Sequence, residues 1–124
     1  MKRVETMTDF QVEFYTKKNG ESPVLEFISS LDVQMKARLF RTIQLLQLHG
    51  NTIQGCCSKP LGDGIFEIRA RAGSNISRVL YFFFIGRKII LTNGFIKKTQ
   101  KTPAKEIETA KKYRAEYIDR ENEK

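Results

Sequence analysis

The residues with the most chemical potential cluster in the middle of the chain. Glu67, Arg69, Arg71 and Arg78 come first, and Lys97, Lys98 and Lys101 follow them in a short basic run. Arginine presents a planar fork of N–H donors that matches the oxygens of a phosphate, and it stays charged at any pH a cell reaches. Cations on a water-shielded sheet are far stronger anion ligands than the same charges spread over open surface. Phe66, Tyr81 and Phe95 lie near these cations in sequence and offer a stacking surface for a base. Of the three, Phe66 fits a core position best, because it alternates with Ile68. The single histidine, His49, precedes a glycine at the expected end of a helix and reads as structural. Cys56 and Cys57 are adjacent, which makes a disulfide between them awkward, and they read as reduced thiols. No spacing of His and Cys suits a metal, so no metal or other cofactor is expected.

The elements that must carry these residues are legible from periodicity. Phe10 to Tyr15 alternate apolar and polar side chains, a strand with one buried face, and Asn19-Gly20 turns the chain. Ser22-Pro23 starts a short helix to about Leu31. Asp32 caps a second, with Met35, Leu39, Ile43 and Leu46 three or four apart until Gly50. From Gly64, Phe66, Ile68 and Ala70 alternate with Glu67, Arg69 and Arg71, so one face is apolar and the other charged. Gly73-Ser74-Asn75 turns into a nearly all-apolar strand from Ile76 to Phe84, the pattern of a central strand covered on both faces. Gly86-Arg87-Lys88 leads to a third strand, Ile89 to Phe95. Thr102-Pro103 then caps a last helix with Ile107, Ala110, Tyr113 and Tyr117 on one stripe, fraying beyond about Arg120. The expected fold is a compact α+β domain of order β-α-α-β-β-β-α, an antiparallel meander with helices packed against the sheet.

At 124 residues the chain is the size of one domain, and 40% apolar residues suffice for one core. No apolar run is long enough to cross a membrane, and Met1-Lys2-Arg3-Val4-Glu5 lacks the hydrophobic region of a signal peptide, so a cytoplasmic protein is expected. Of the net charge of +8, residues 61 to 102 hold eight Lys/Arg against two Asp/Glu, or +6. The excess therefore sits on the meander and its following loop, where it can face an anionic partner such as nucleic acid.

Three stretches resemble a known family: Leu61 to Arg69 with its aromatic-Glu-aliphatic-Arg strand, Ser77-Arg78-Val79-Leu80-Tyr81, and Gly94-Phe95-Ile96-Lys97-Lys98-Thr99-Gln100-Lys101-Thr102-Pro103. Together they resemble the phage-derived HigB-like branch of the RelE toxin superfamily, from about Phe10 to Tyr117. The resemblance implies a type II toxin, a ribosome-dependent endoribonuclease in which the RNA 2′-hydroxyl attacks its own phosphate without a metal. By position, it implies that Arg69 and Arg78 bind the scissile phosphate and that Lys98, with Lys97 beside it, supplies charge at a reacting oxygen. Lys101 becomes an outer phosphate contact, and Arg71, Tyr81 and Phe95 join the RNA-binding set. The implied partners are messenger RNA, the ribosome and a cognate antitoxin of helix-turn-helix type, similar to HigA. Operator DNA would be reached only through that antitoxin.

Relatives in this family use a His or a C-terminal Tyr for proton transfer, whereas His49 is the only histidine here. Arginine cannot act as a base, so the candidates are Glu67 or a lysine whose proton affinity is lowered by neighbouring cations. Two other readings fit the same residues: a non-catalytic RNA-binding or phage regulatory module, and a toxin of the ParE kind directed at DNA gyrase.

Overall fold

Side-chain alternation along the strands generates two apolar faces, and each is closed by helices. The computed structural model describes residues 10–50, 57–96 and 101–124. In order they form β1 (Gln11–Phe14), α1 (Pro23–Ser29), α2 (Val33–His49), β2 (Ser58–Gly62), β3 (Ile65–Ala72), β4 (Asn75–Phe84), β5 (Lys88–Ile96) and α3 (Ala104–Asn122). The α+β class and the expected order hold, with one strand more than the periodicity predicted. That strand, β2, reads Ser-Lys-Pro-Leu-Gly and has no alternation of its own. It sits at the sheet edge, where Pro60 is tolerated, and it is held by antiparallel pairing to β3. The five strands lie in the order β1-β5-β4-β3-β2, with β1 parallel to β5 and the rest antiparallel.

One face of the sheet presents Ile68, Ala70, Val79, Tyr81, Ile89 and Leu91 to Val24 and Ile28 of α1 and to Met35, Leu39, Ile43 and Leu46 of α2. Both helices start at side-chain caps. Ser22 accepts from the Leu25 N–H, and Asp32 accepts from the Met35 N–H at 2.8 Å. The other face presents Ile65, Leu80, Phe82 and Ile90 to Ala110 and Tyr117 of α3, together with Tyr15. β4 therefore has buried side chains on both faces, as its sequence predicts.

α3 is fixed at several points along its length. Lys111 pairs with Asp63 at 2.8 Å, and Arg114 donates to the Asp63 carbonyl, so the turn Gly62-Asp63-Gly64 is tied to the helix. All three turn residues have positive φ, which the two glycines accept without strain. Tyr113 stacks on Tyr15 with ring centroids 4.7 Å apart, and Tyr117 donates to Glu13 at 2.9 Å. Arg120 lies over the Tyr15 ring and donates to the Thr16 carbonyl at 2.7 Å, so the helix continues to Asn122 rather than fraying at Arg120. No helix among the described residues is long and apolar enough to cross a membrane.

Candidate functional site

Antiparallel pairing of β3 with β4 sets Arg69 directly opposite Arg78, and Glu67 opposite Leu80. Pairing of β4 with β5 sets Phe95 opposite Arg78 on the other side. Glu67, Arg69, Arg78 and Phe95 therefore share the α3 face of the sheet, beyond the end that the helix covers. Arg71 is two residues further along the same face, exposed near the β3–β4 turn.

Arg78 is 1% exposed, which is unusual for a cation and requires a partner. Its Nη1 donates to Glu67 Oε2 in an ion pair with both side chains buried. The other carboxylate oxygen, Glu67 Oε1, accepts from the Thr102 hydroxyl. Burial lowers the proton affinity of Arg78, the Glu67 carboxylate raises it, and Arg69 opposite lowers it again. The guanidinium stays charged, and its Nε is buried without a hydrogen-bond partner among the described residues. The buried pair thus has a second cation, Arg69, on the opposing strand, and the three charges leave one positive charge in excess. A phosphate matches the fork geometry of such cations.

Glu67 was expected among the candidates for general base. It is fully buried, and both of its oxygens are engaged, so it holds Arg78 and Thr102 rather than facing a substrate proton. Thr102 was expected to cap the last helix through its hydroxyl. Instead the cap position falls on Pro103, without a side-chain cap bond, and the Thr102 hydroxyl turns inward to Glu67. A Thr before a Pro carries the same signal in either role, so the sequence could not separate them.

Tyr81 is placed on the opposite face, 0% exposed, stacked on Phe66 at 5.4 Å and hydrogen-bonded to Ser58 at 2.7 Å. Burial pushes its phenol up to about 12. It supports β3 and β4 from below and is closed to a base, because residues of one strand two faces apart cannot serve one site. Phe66 is in that same aromatic cluster, as expected of a core residue. Phe95 is half-buried beside Arg78 and keeps an open edge. Lys101 is exposed just before Thr102. Lys97 and Lys98 lie outside the described residues, as does Cys56; Cys57 is a half-buried free thiol. His49 is exposed at the last turn of α2, in the helix layer of the opposite face.

Asn93 is a residue the sequence did not single out. A bulge in β5 puts Thr92 between the pairs Leu80–Asn93 and Tyr81–Leu91, and the Thr92 hydroxyl donates to the Leu80 carbonyl and to Asn93 Oδ1. Asn93 Nδ2 in turn donates to the carbonyl and the side chain of Glu106, at 3.2 and 3.1 Å. The first turn of α3, and with it Thr102, is thereby pinned to the strand that carries Phe95. Among the described residues no three His, Cys, Asp or Glu side chains are grouped to hold a metal ion.

A family model described as phage derived protein Gp49-like (DUF891) matches residues 26–115, from the second half of α1 through most of α3, and takes in every residue of the site. No curated protein matches the chain.

Proposed function

From its membership of the Gp49-like family of phage-derived proteins, with two arginines sharing one carboxylate on its sheet, we propose that this chain is a toxin that cleaves messenger RNA. One observation carries the reading: Arg78, buried and paired with the single carboxylate of Glu67, stands opposite the half-buried Arg69, so two cations share one counter-charge. A phosphate on the half-buried Arg69 guanidinium, with the Arg78 charge behind it, neutralises the excess positive charge. In the proposed reaction the RNA 2′-hydroxyl gives up its proton as its oxygen attacks phosphorus, and the bond to the 5′-oxygen breaks as that oxygen takes up a proton, leaving a 2′,3′-cyclic phosphate and a 5′-hydroxyl. Charge grows on the non-bridging oxygens in that transition state, where preorganised donors act most strongly. Glu67 orients Arg78, and by the family resemblance Lys98 supplies charge at a reacting oxygen while Lys101 is an outer phosphate contact.

The RelE/HigB pattern in the sequence supports the finer points of the proposal: the ribosome as the place of cleavage and a HigA-like antitoxin as the partner that silences it. Alignment of nucleophile and phosphate by the ribosome contributes up to about 7–11 kcal/mol, which lessens the demand on acid and base groups in the toxin. The test is to add purified protein to programmed ribosomes and map new mRNA 5′ ends. New ends that vanish with Arg69→Ala support the proposal. RNA that is bound yet left intact supports the non-catalytic module instead.

A further inference from the structure

Arginine does not release its proton in proteins, and the Glu67 carboxylate is fully buried with both oxygens engaged, so neither can move a proton at the phosphate. The edge strand β2 brings a group that can. Its register pairs Ser58 with Ile68 and Lys59 with Glu67, which sends the Lys59 side chain to the α3 face, opposite Glu67 and diagonal to Arg69. The same register runs one pair further, where the Arg69 N–H donates to the Cys57 carbonyl at 2.9 Å, so β2 still lies beside β3 at Arg69. Diagonal neighbours of this kind are about 7–8 Å apart at the backbone, a gap that a long lysine stem spans. Lys59 is half-buried, and among the described residues it forms no ion pair. Its backbone is held on both sides. The Ser58 hydroxyl, fully buried on the opposite face, hydrogen-bonds the Tyr81 phenol at 2.7 Å, and Pro60 confines the residue before it to extended backbone.

We infer that Lys59 is a further catalytic residue, the general acid that protonates the 5′-oxygen as it leaves. The inference rests on the RNA-cleaving reading of the site and deepens it. A lysine carries its proton at neutral pH, so it begins the reaction able to give one and unable to take the one that the 2′-hydroxyl sheds. The bond from phosphorus to the 5′-oxygen breaks with its electron pair left on that oxygen, and the Lys59 ammonium transfers a proton to it. The proton of the 2′-hydroxyl passes to water, and the neutral amine recovers one from water once the products part, so protons and charge balance. Arg69 holds the phosphate through this step. Phe95 and Lys59 flank the two arginines from opposite sides, one on β5 and the other on β2, so a stacked base and the leaving oxygen are held at different ends of the site.

The test uses the full chain on programmed ribosomes with two forms of one mRNA, identical except that sulfur replaces the 5′-oxygen at the mapped cleavage position in the second. A thiol is a far stronger acid than an alcohol and leaves as the thiolate, so a general acid contributes nothing to that linkage. Lys59→Ala should slow cleavage of the ordinary linkage by about 100-fold and cut the sulfur linkage within about 3-fold of the parent rate. Lys59→Arg keeps the charge without a proton it can give, so it should bind RNA as the parent does and stay as slow as Lys59→Ala on the ordinary linkage. Arg69→Ala should be slow on both, because the phosphate it holds is the same. The Lys59 variants remove no ion pair among the described residues and should melt at the parent temperature. Equal slowing of both linkages by Lys59→Ala, or recovery of the ordinary rate by Lys59→Arg, overturns the acid assignment and leaves Lys59 a phosphate contact. A Lys59→Ala variant that cuts the ordinary linkage as fast as the parent removes Lys59 from the site while RNA cleavage itself stands. A parent that makes no new ends on either mRNA sinks the ribonuclease reading, and this inference with it.

Discussion

Arg69 and Arg78 differ in what holds them, and this separates their expected phenotypes. Arg69 is half-buried and makes no ion pair among the described residues, whereas Arg78 is enclosed and paired with Glu67. Arg69→Ala should therefore leave the fold intact and slow cleavage by about 100-fold, the effect of losing one preorganised donor worth about 3 kcal/mol. Lys112→Ala, which removes an equal charge from the exposed outer face of α3, is the control and should cut nearly as fast as the parent. Initial cleavage rates on programmed ribosomes, with thermal melts for folding, decide the point. Glu67→Gln should behave differently, because it leaves the Arg78 charge buried without its counter-ion. A loss of about 3–5 kcal/mol in urea unfolding is expected, the usual result of breaking one half of a buried pair. Replacing both residues, Glu67→Leu with Arg78→Met, should recover much of that stability and none of the RNA binding. Recovery of both would mean that the pair serves the core alone.

At the scale of elements, the site depends on how closely α1 approaches β5. Gly94 has no side chain because the Phe27 ring of α1 occupies the space a Cβ would take, and the Arg78 carbonyl stands 3.1 Å from it on the other side. Gly94→Ala should cost about 1–3 kcal/mol through overpacking, read as a lower urea midpoint with an unchanged m value. Phe27→Leu on top of it should return part of the loss. Because Gly94 adjoins Phe95 and pairs with Val79 next to Arg78, the single variant should also weaken RNA binding. Full affinity in a destabilised Gly94→Ala would show that β5 shifts without moving the site.

For the whole molecule, alkaline pH is the condition most damaging to the packing between the sheet and its helices. The phenol of Tyr15 is pushed up to about 12, first by burial and then by its hydrogen bond to Glu116. Burial raises Tyr81 to about 12 as well, and Tyr117 is raised further by burial and by Glu13. A tyrosine with a raised value keeps its proton in the folded state while the unfolded chain has already lost it. The stabilisation is therefore complete below about pH 10 and disappears as pH rises toward 12. Melting temperature should hold steady from pH 7 to 9 and fall steeply above 10, with a shallower fall in Tyr81→Phe. An identical decline in that variant would assign the alkaline sensitivity elsewhere.

The sequence by itself determined the strand alternation that puts Glu67, Arg69 and Arg71 on one face, the caps at Ser22 and Asp32, and the order of the elements. Each is a local property, set by a period of two or 3.6 residues or by a side chain reaching its own backbone three residues on. Tertiary structure alone decided which charges spend themselves on one another. Arg69 and Arg78 looked equivalent in sequence, yet the register across β3, β4 and β5, together with the inward turn of Thr102, buried one and left the other half-open. It also decided that Tyr81 faces the core and that β2 pairs at the edge. These contacts join residues far apart in the chain, so no local pattern encodes them, and they form only when two apolar faces close over a shared sheet.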